Sequence, residues 1–351
     1  MSNFSAISIT DKVYWVGAID WGIRDFHGYK TSQGTTYNAY LIMDDLVVLV
    51  DTVKESFCEE MFSRIDSVLG SRKIDYIISN HSEMDHSGSL CQAIHKYSPQ
   101  KIFASTQGVK ALNKHFNNLN LTEVKHLERL NLGSDQMIFI ETRMMHWPDS
   151  MMSYLCEEKV LFSQDAFGMH LATTKIFCDE LDNNVIYNET CKYYANILLP
   201  FCGIINKKIQ ELISLNLPIS IIATDHGPIW RQDIEWIIHQ YLEWSKQAPN
   251  NKALVVYDTM WHSTELMSLA ISEGIRQRGS GIEVFCLPLF SNHRSDIATM
   301  LINAGALIIG TPTINNQMFP TVSDMLTYVK GLKVKNLVAG SFGSYGWSGQ
   351  E

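Results

Sequence analysis

Within six residues, the segment His81-Ser-Glu83-Met-Asp85-His86 carries two imidazoles and two carboxylates. It follows the apolar run 74–80 and precedes a stretch of helical spacing at 87–97. Extended backbone there would turn His81, Glu83 and Asp85 to one side, because strand side chains alternate with a period of two. Carboxylates crowded this closely repel one another and raise their own pKa values, unless a cation offsets them. Three more candidates stand at or soon after the ends of apolar runs: His146 after 137–140, Asp165 after 160–163 and His226 after 219–223. The sum is four imidazoles and three carboxylates, enough donors for two metal ions with positions left open, and Asp165 is the expected bridge. Iron, manganese and zinc all accept such mixed ligation.

A second set of residues suits an anion. After the apolar run 253–257 come Thr259, Met260, Trp261, His262, Ser263 and Thr264, followed by a helical stretch at 265–276. Hydroxyls beside the free N–H groups of a helix start make a phosphate cradle without lysine or arginine. Two later loops are expected beyond apolar runs, at 308–316 and 339–349. The first offers Pro312, Thr313, Ile314, Asn315 and Asn316. The second offers Ser341, Phe342, Gly343, Ser344, Tyr345, Gly346 and Trp347. Small residues allow close backbone approach, and Tyr345 and Trp347 are suited to contact a planar ring. Neither a P-loop nor a G-x-G-x-x-G after a strand is present, which disfavours nucleoside triphosphates and NAD.

Strands and helices must bring these residues together. Short strands are expected across 12–52, a helix across 55–69, and alternating strands and helices thereafter. The polar stretch 245–252, with Pro249, reads as a linker. The expected domains are therefore 1–248, bearing the metal ligands, and 252–351, a doubly wound α/β unit whose loops converge beyond the strand ends. A chain of 351 residues with 46% apolar and 19% charged residues has ample material for two cores. Its formal charge of −9 disfavours nucleic acid and anionic membrane surfaces. The first residues lack a secretory signal and no apolar run is long enough to span a bilayer, so a cytoplasmic location is expected. Seven scattered cysteines without a C-x-x-C pair disfavour disulfides, a zinc ribbon and an internal rubredoxin.

The H-x-E-x-D-H segment, His146-Trp-Pro, the Asp165 strand end and Asp225-His226-Gly-Pro together resemble the flavodiiron proteins, over nearly the whole chain. That resemblance implies a metallo-β-lactamase-like αββα sandwich followed by a flavodoxin-like parallel sheet. It assigns His81, Glu83 and His146 to one iron, Asp85, His86 and His226 to the other, and Asp165 to both, with His86 the position at which family members differ. Hydrolases of the superfamily usually carry histidine where this chain has Glu83. The added anion favours a redox metal over a zinc hydrolase. His27, His170 and Tyr193, preferred to Tyr194, are the expected polar groups around the site. The three loops around 259–264, 312–316 and 341–347 are the expected FMN site.

The activity implied is reduction of dioxygen to water, of nitric oxide to nitrous oxide, or both. Electrons would come from a small donor such as rubredoxin, through FMN, in a head-to-tail homodimer or tetramer. One departure is that a flavodoxin-like domain normally continues with a helix and a fifth strand, whereas this sequence stops at Ser348-Gly-Gln-Glu351. An exposed sheet edge and weakened FMN binding are the corresponding expectation. The rival readings are a metal-dependent hydrolase and a non-catalytic nitric oxide sensor.

Overall fold

The computed structural model describes residues 4–117, 119–278 and 281–347, which fall into two compact units. The first holds residues 4–24, 31–117, 119–190 and 207–239, and the second the remainder of the described chain.

In the first unit, alternation along each strand builds two cores from one sheet. The seven-stranded sheet runs in the order Ile7–Ser8, Val13–Trp15, Tyr40–Met43, Val47–Val50, Tyr76–Ser79, Lys101–Ser105, Leu121–Val124. Tyr40, Ile42, Val48, Val50, Ile78 and Phe103 project from one face. There they meet Met137, Phe139, Met151, Leu155, Val160, Phe162 and Ala223 of a second, five-stranded sheet. That sheet runs Arg129–Asn131, Gln136–Glu141, Met151–Leu155, Val160–Gln164, Ile221–Thr224. The intervening residues Leu41, Val47, Leu49, Ile77 and Ile102 face the other way, under helices Cys58–Leu69, Leu90–Tyr97 and Thr106–His115. Cys58–Leu69 buries Cys58, Met61, Phe62, Ile65 and Leu69, the spacing of one helical face, and stops at Gly70, whose φ is 59°. Ser105 Oγ caps Thr106–His115 by accepting from Gly108 N at 3.0 Å. Each fully buried aliphatic side chain contributes roughly 1.5–3 kcal/mol, so the polar strand ends rest on a stable base.

Three of these strands lead to candidate ligands and a fourth to Asp51, which buttresses them. Val47–Val50 and Tyr76–Ser79 pair in parallel and lead into Asp51 and Asn80-His81. Val160–Gln164 and Ile221–Thr224 also pair in parallel and lead into Asp165 and Asp225-His226.

The second unit has a parallel sheet in the order Glu283–Pro288, Lys252–Tyr257, Ala306–Ile314, Val338–Ser344. Leu254, Val256, Leu287 and Leu307 bury one face against Ile297, Leu301, Met325 and Val329 of helices Arg294–Leu301 and Pro320–Leu332. Helix Ser263–Arg278 also packs on these strands, with Thr264 and Ser268 buried. The expected loops at 308–316 and 339–349 are shorter than anticipated. The strands continue in register through Thr311↔Gly343 and Pro312↔Ser344, because parallel pairing satisfies backbone groups that apolar periodicity alone leaves unassigned. Asn315 and Asn316, at φ 51° and 58°, turn the chain into the antiparallel strand Gln317–Met318. Ser348 and Gly349 of the third expected loop lie outside the described residues. All seven cysteines are free, and among the described residues no helix is long and apolar enough to cross a membrane.

Candidate metal centre

Asn80 fastens the start of the site. Its N–H donates to Asp51 Oδ1 at 2.7 Å, its Nδ2 to Asp51 Oδ2 at 3.0 Å, and its Oδ1 accepts from Ser153 Oγ at 2.6 Å. One side chain thus ties the strand end of the first sheet to the second sheet just before His81. From Glu83 the chain departs from the extended course expected for the whole segment. Glu83 keeps extended angles as the N-cap, but Asp85 and His86 ride on the short helix Met84–Ser87. The turn is closed by Ser87 Oγ donating to the Ser82 carbonyl at 2.8 Å and anchored by Thr52 Oγ1 donating to the His86 carbonyl at 2.8 Å. A helical turn rotates Asp85 and His86 away from His81 and Glu83, so neighbouring residues enter different clusters.

His81, Glu83, His146 and Asp165 form one group with donor atoms all within 4.8 Å, and Asp85, His86 and His226 form another. Asp165 faces both. Its Oδ2 lies 3.3 Å from His81 Nε2 and 2.9 Å from His146 Nε2, while its Oδ1 lies 3.2 Å from His86 Nε2 and 3.5 Å from His226 Nε2. Glu83 Oε2 approaches His81 Nε2 at 3.2 Å and His146 Nε2 at 3.4 Å. Asp85 Oδ2 lies 3.2 Å from His226 Nε2 and Oδ1 lies 3.4 Å from His86 Nε2.

Two imidazoles are hydrogen-bonded from behind, and a third, that of His86, has a carboxylate behind it without a hydrogen bond; sequence reasoning assigned none of the residues concerned that role. His81 Nδ1 lies 3.0 Å from Asp149 Oδ2, His86 Nδ1 lies 3.5 Å from Asp225 Oδ2, and His226 Nδ1 lies 2.7 Å from the Thr36 carbonyl. A proton kept on Nδ1 leaves the Nε2 lone pair turned inward, which is the tautomer a metal requires. The available signal was position: Asp149 stands three residues after His146, and Asp225 immediately before His226. His170 packs its ring 4.7 Å from that of His226 and holds Thr35 Oγ1 at 2.8 Å. It therefore supports a ligand-bearing ring. His27, at φ 55° with its ring 4.5 Å from Phe26, and buried Tyr193 belong to the second unit, as does Tyr194.

The protonation balance shows what the cluster lacks without a metal. Burial pushes His81 down, but hydrogen bonds to Asp149 and Glu83 and the Asp165 charge outweigh it and hold the ring well above its ordinary value. Burial likewise opposes His86, yet Asp85 and Asp165 raise it to about 9. Burial would raise Asp165, but the His86 charge and the His146 and His86 hydrogen bonds hold it well below the usual range. Asp149, also opposed by burial, is lowered to about 2 by His81 and Ser82. Asp225 is raised by burial and by the Asp51 and Asp165 charges. Protons on imidazoles thus offset buried carboxylates. Asp85 Oδ1 and Oδ2 and Asp165 Oδ1 are buried without a hydrogen bond, and cations at the two clusters would satisfy all three.

The loop expected to bind an anion lies in the second unit. Thr259 Oγ1 is buried without a hydrogen-bond partner, four residues before helix Ser263–Arg278. Thr264 Oγ1 lies 3.2 Å from Ser344 Oγ, joining the first loop to the fourth strand. Met260, Trp261, His262, Tyr345 and Trp347 are exposed. Phe342 stacks where Gly310 leaves room, since a Cβ at Gly310 would lie within 3.0 Å of its ring. A cavity of about 540 Å³ is lined by Thr313, Asn316, Ser341, Phe342 and Gly343, together with Val322 and Leu326 of helix Pro320–Leu332.

Residues 35–227 match the family model described as ODP family beta lactamase. The nitric oxide reductase of Moorella thermoacetica is 44% identical over 98% of this chain and 86% of its own length. The rubredoxin oxygen:oxidoreductase of Desulfovibrio gigas superposes with a TM-score of 0.95 at 41% identity, over 98% of this chain and 87% of that one. The flavodiiron protein of Giardia intestinalis superposes with a TM-score of 0.93 at 34% identity, over 100% and 86%.

Proposed function

This chain belongs to the flavodiiron proteins, and from that membership we propose that it is an oxidoreductase reducing dioxygen to water, nitric oxide to nitrous oxide, or both. The observation that carries the reading is the division of Asp165, with one oxygen toward each group of metal-binding side chains. The donor set fits two irons: His81, Glu83 and His146 would hold one, Asp85, His86 and His226 the other, and Asp165 both. When bound, the irons supply redox equivalents and open coordination positions, and FMN supplies the electrons that replenish them.

The chain's own residues prepare that chemistry. Asp149 and the Thr36 carbonyl hold the Nδ1 protons of His81 and His226, so the Nε2 atoms of these two rings face inward without reorganisation, and the Asp225 carboxylate lies 3.5 Å behind His86 Nδ1. His81, Asp85, His86, Asp165 and His226 are buried, which limits access of bulk water. Thr259, Ser263 and Thr264 would hold the FMN phosphate through hydroxyls and the unsatisfied N–H groups of the helix start, and the orphaned Thr259 hydroxyl supports that assignment. Residues 312–316 and 341–347 would surround the flavin. A rubredoxin-type donor, head-to-tail association of copies and a cytoplasmic location complete the proposal. The name of one of the similar structures, a rubredoxin oxygen:oxidoreductase, supports a rubredoxin-type donor.

The test is metal and flavin content of the purified chain, followed by anaerobic reduction and titration with each gas. Two irons, bound FMN and multiple turnovers are expected. Zinc without flavin, and no consumption of either gas, would overturn the reading.

A further inference from the structure

His146 is secured differently from His81 and His226, whose Nδ1 atoms are hydrogen-bonded. Its Nε2 lies 2.9 Å from Asp165 Oδ2, but among the described residues its Nδ1 has no hydrogen-bond partner, and its side chain is 14% exposed. Its place depends on its own backbone turn. There Met145 N donates to the Thr142 carbonyl at 2.9 Å, Met144 N to the Trp147 carbonyl at 2.7 Å, and Trp147 N to Ser150 Oγ at 3.1 Å. The carbonyl immediately before His146, that of Met145, accepts a hydrogen bond from Gln164 Nε2.

Gln164 is fully buried and sits at a break in the sheet. Phe162 pairs with Ala223 and Gln164 with Thr224, so Ser163 is one residue extra, a bulge of the kind that re-aims the next side chain. The backbone φ of Gln164 is 51°, a left-handed value that glycine or asparagine adopts more readily. The side chain is used at both ends: Oε1 accepts from Asp165 N at 2.7 Å while Nε2 holds the Met145 carbonyl. A single planar amide therefore sets the distance between the segment carrying the bridging carboxylate and the segment carrying His146.

We propose that Gln164 is a positioning residue that fixes His146 relative to Asp165 and thereby tightens one of the two metal positions, the one formed with His81 and Glu83, selectively. This rests on the two-metal reading above. The other position draws its imidazoles from His86, whose backbone carbonyl is held by Thr52 Oγ1, and from His226, whose Nδ1 is held by the Thr36 carbonyl, and neither has a hydrogen bond to Gln164.

Gln164→Met keeps the volume and removes both hydrogen bonds, whereas Gln164→Glu keeps an acceptor for Asp165 N and loses the donor to Met145. Wild type and variants would be loaded with iron anaerobically and challenged with a chromophoric chelator, following release of each metal in time, with His146→Ala as reference. In both Gln164 variants one metal should leave about 10- to 100-fold faster and the other at the wild-type rate. Adding His146→Ala to Gln164→Met should accelerate release little beyond His146→Ala alone. Equal acceleration of both metals, no acceleration, additive effects in the double variant, or failure of either variant to fold would overturn the proposal. Fewer than two metals in the wild type would instead defeat the two-metal reading itself.

Discussion

Oδ2 of Asp149 lies 3.0 Å from Nδ1 of His81, and the same oxygen accepts the backbone N–H of Ser82 at 2.7 Å. The carboxylate therefore orients the ring of a candidate metal ligand and the backbone that follows it. Asp149→Ala should weaken metal retention by about 10- to 100-fold, with Asp149→Asn intermediate. Metal content after dialysis against graded chelator measures this, and unchanged retention in Asp149→Ala would remove the residue from the site's support.

Acidity should act on the metal-free and metal-loaded protein in opposite senses. His86 is raised from its ordinary value to about 9, so its stabilising contribution to the metal-free fold is complete below about pH 6.5 and lost as pH rises through about 9. Its size is on the order of 3 kcal/mol. Asp51 is raised by burial to about 6, against the opposing pull of the His86 charge and of the backbone N–H and side-chain amide of Asn80. It acts in the same direction at lower pH, because protonation favours its buried form. A metal binds only the neutral imidazole, so its affinity should climb over the pH range in which the metal-free protein loses stability. Melting temperatures with and without metal between about pH 6 and 9 should therefore diverge, and parallel curves would contradict the assignment.

Thr259→Val tests the phosphate cradle. The substitution keeps the shape and removes a buried hydroxyl that has no partner in the protein. FMN affinity should fall by about 5- to 10-fold, corresponding to roughly 1 kcal/mol for one hydrogen bond, while the flavin-free protein is unchanged or slightly more stable. Quenching of FMN fluorescence on titration reads the affinity, and equal affinities would take Thr259 out of the cradle.

Gly88 closes the turn that carries Asp85 and His86. A Cβ there would lie within 3.0 Å of both the Met84 carbonyl oxygen and Glu55 N, backbone atoms that cannot swing aside. Gly88→Ala should cost about 1–3 kcal/mol of stability, as overpacking does, and should also loosen the metal at the Asp85, His86 and His226 position. Denaturant unfolding of the metal-free chain, together with metal content, checks both effects; wild-type values in each would show that the turn relaxes freely.

Much of the centre was legible because its information is local. His81, Glu83, Asp85 and His86 lie within six residues, and His146, Asp165 and His226 follow apolar strands, so residue type and clustering were enough to nominate all seven, although period-two alternation misplaced Asp85, which rides on a helical turn. The order of strands and helices in the second unit was legible for the same reason. The extent of its third and fourth strands was not, since the pairing of Thr311 with Gly343 joins segments whose own composition reads as loop.

Residue type and spacing by themselves therefore determined the chemistry available to this chain: imidazoles and carboxylates at strand ends, and hydroxyls before a helix. Tertiary structure alone decided how those groups are shared and supported. Asp165 could be nominated as a bridge from its place in the chain, but which oxygen faces which histidines depends on two sheets packing face to face. The pair Asp149–His81, and the Gln164 amide spanning Asp165 and Met145, likewise join residues brought together by sheet register and a bulge. Hydrogen bonds of this kind require positions defined to a few tenths of an ångström, and only the packed fold supplies that precision.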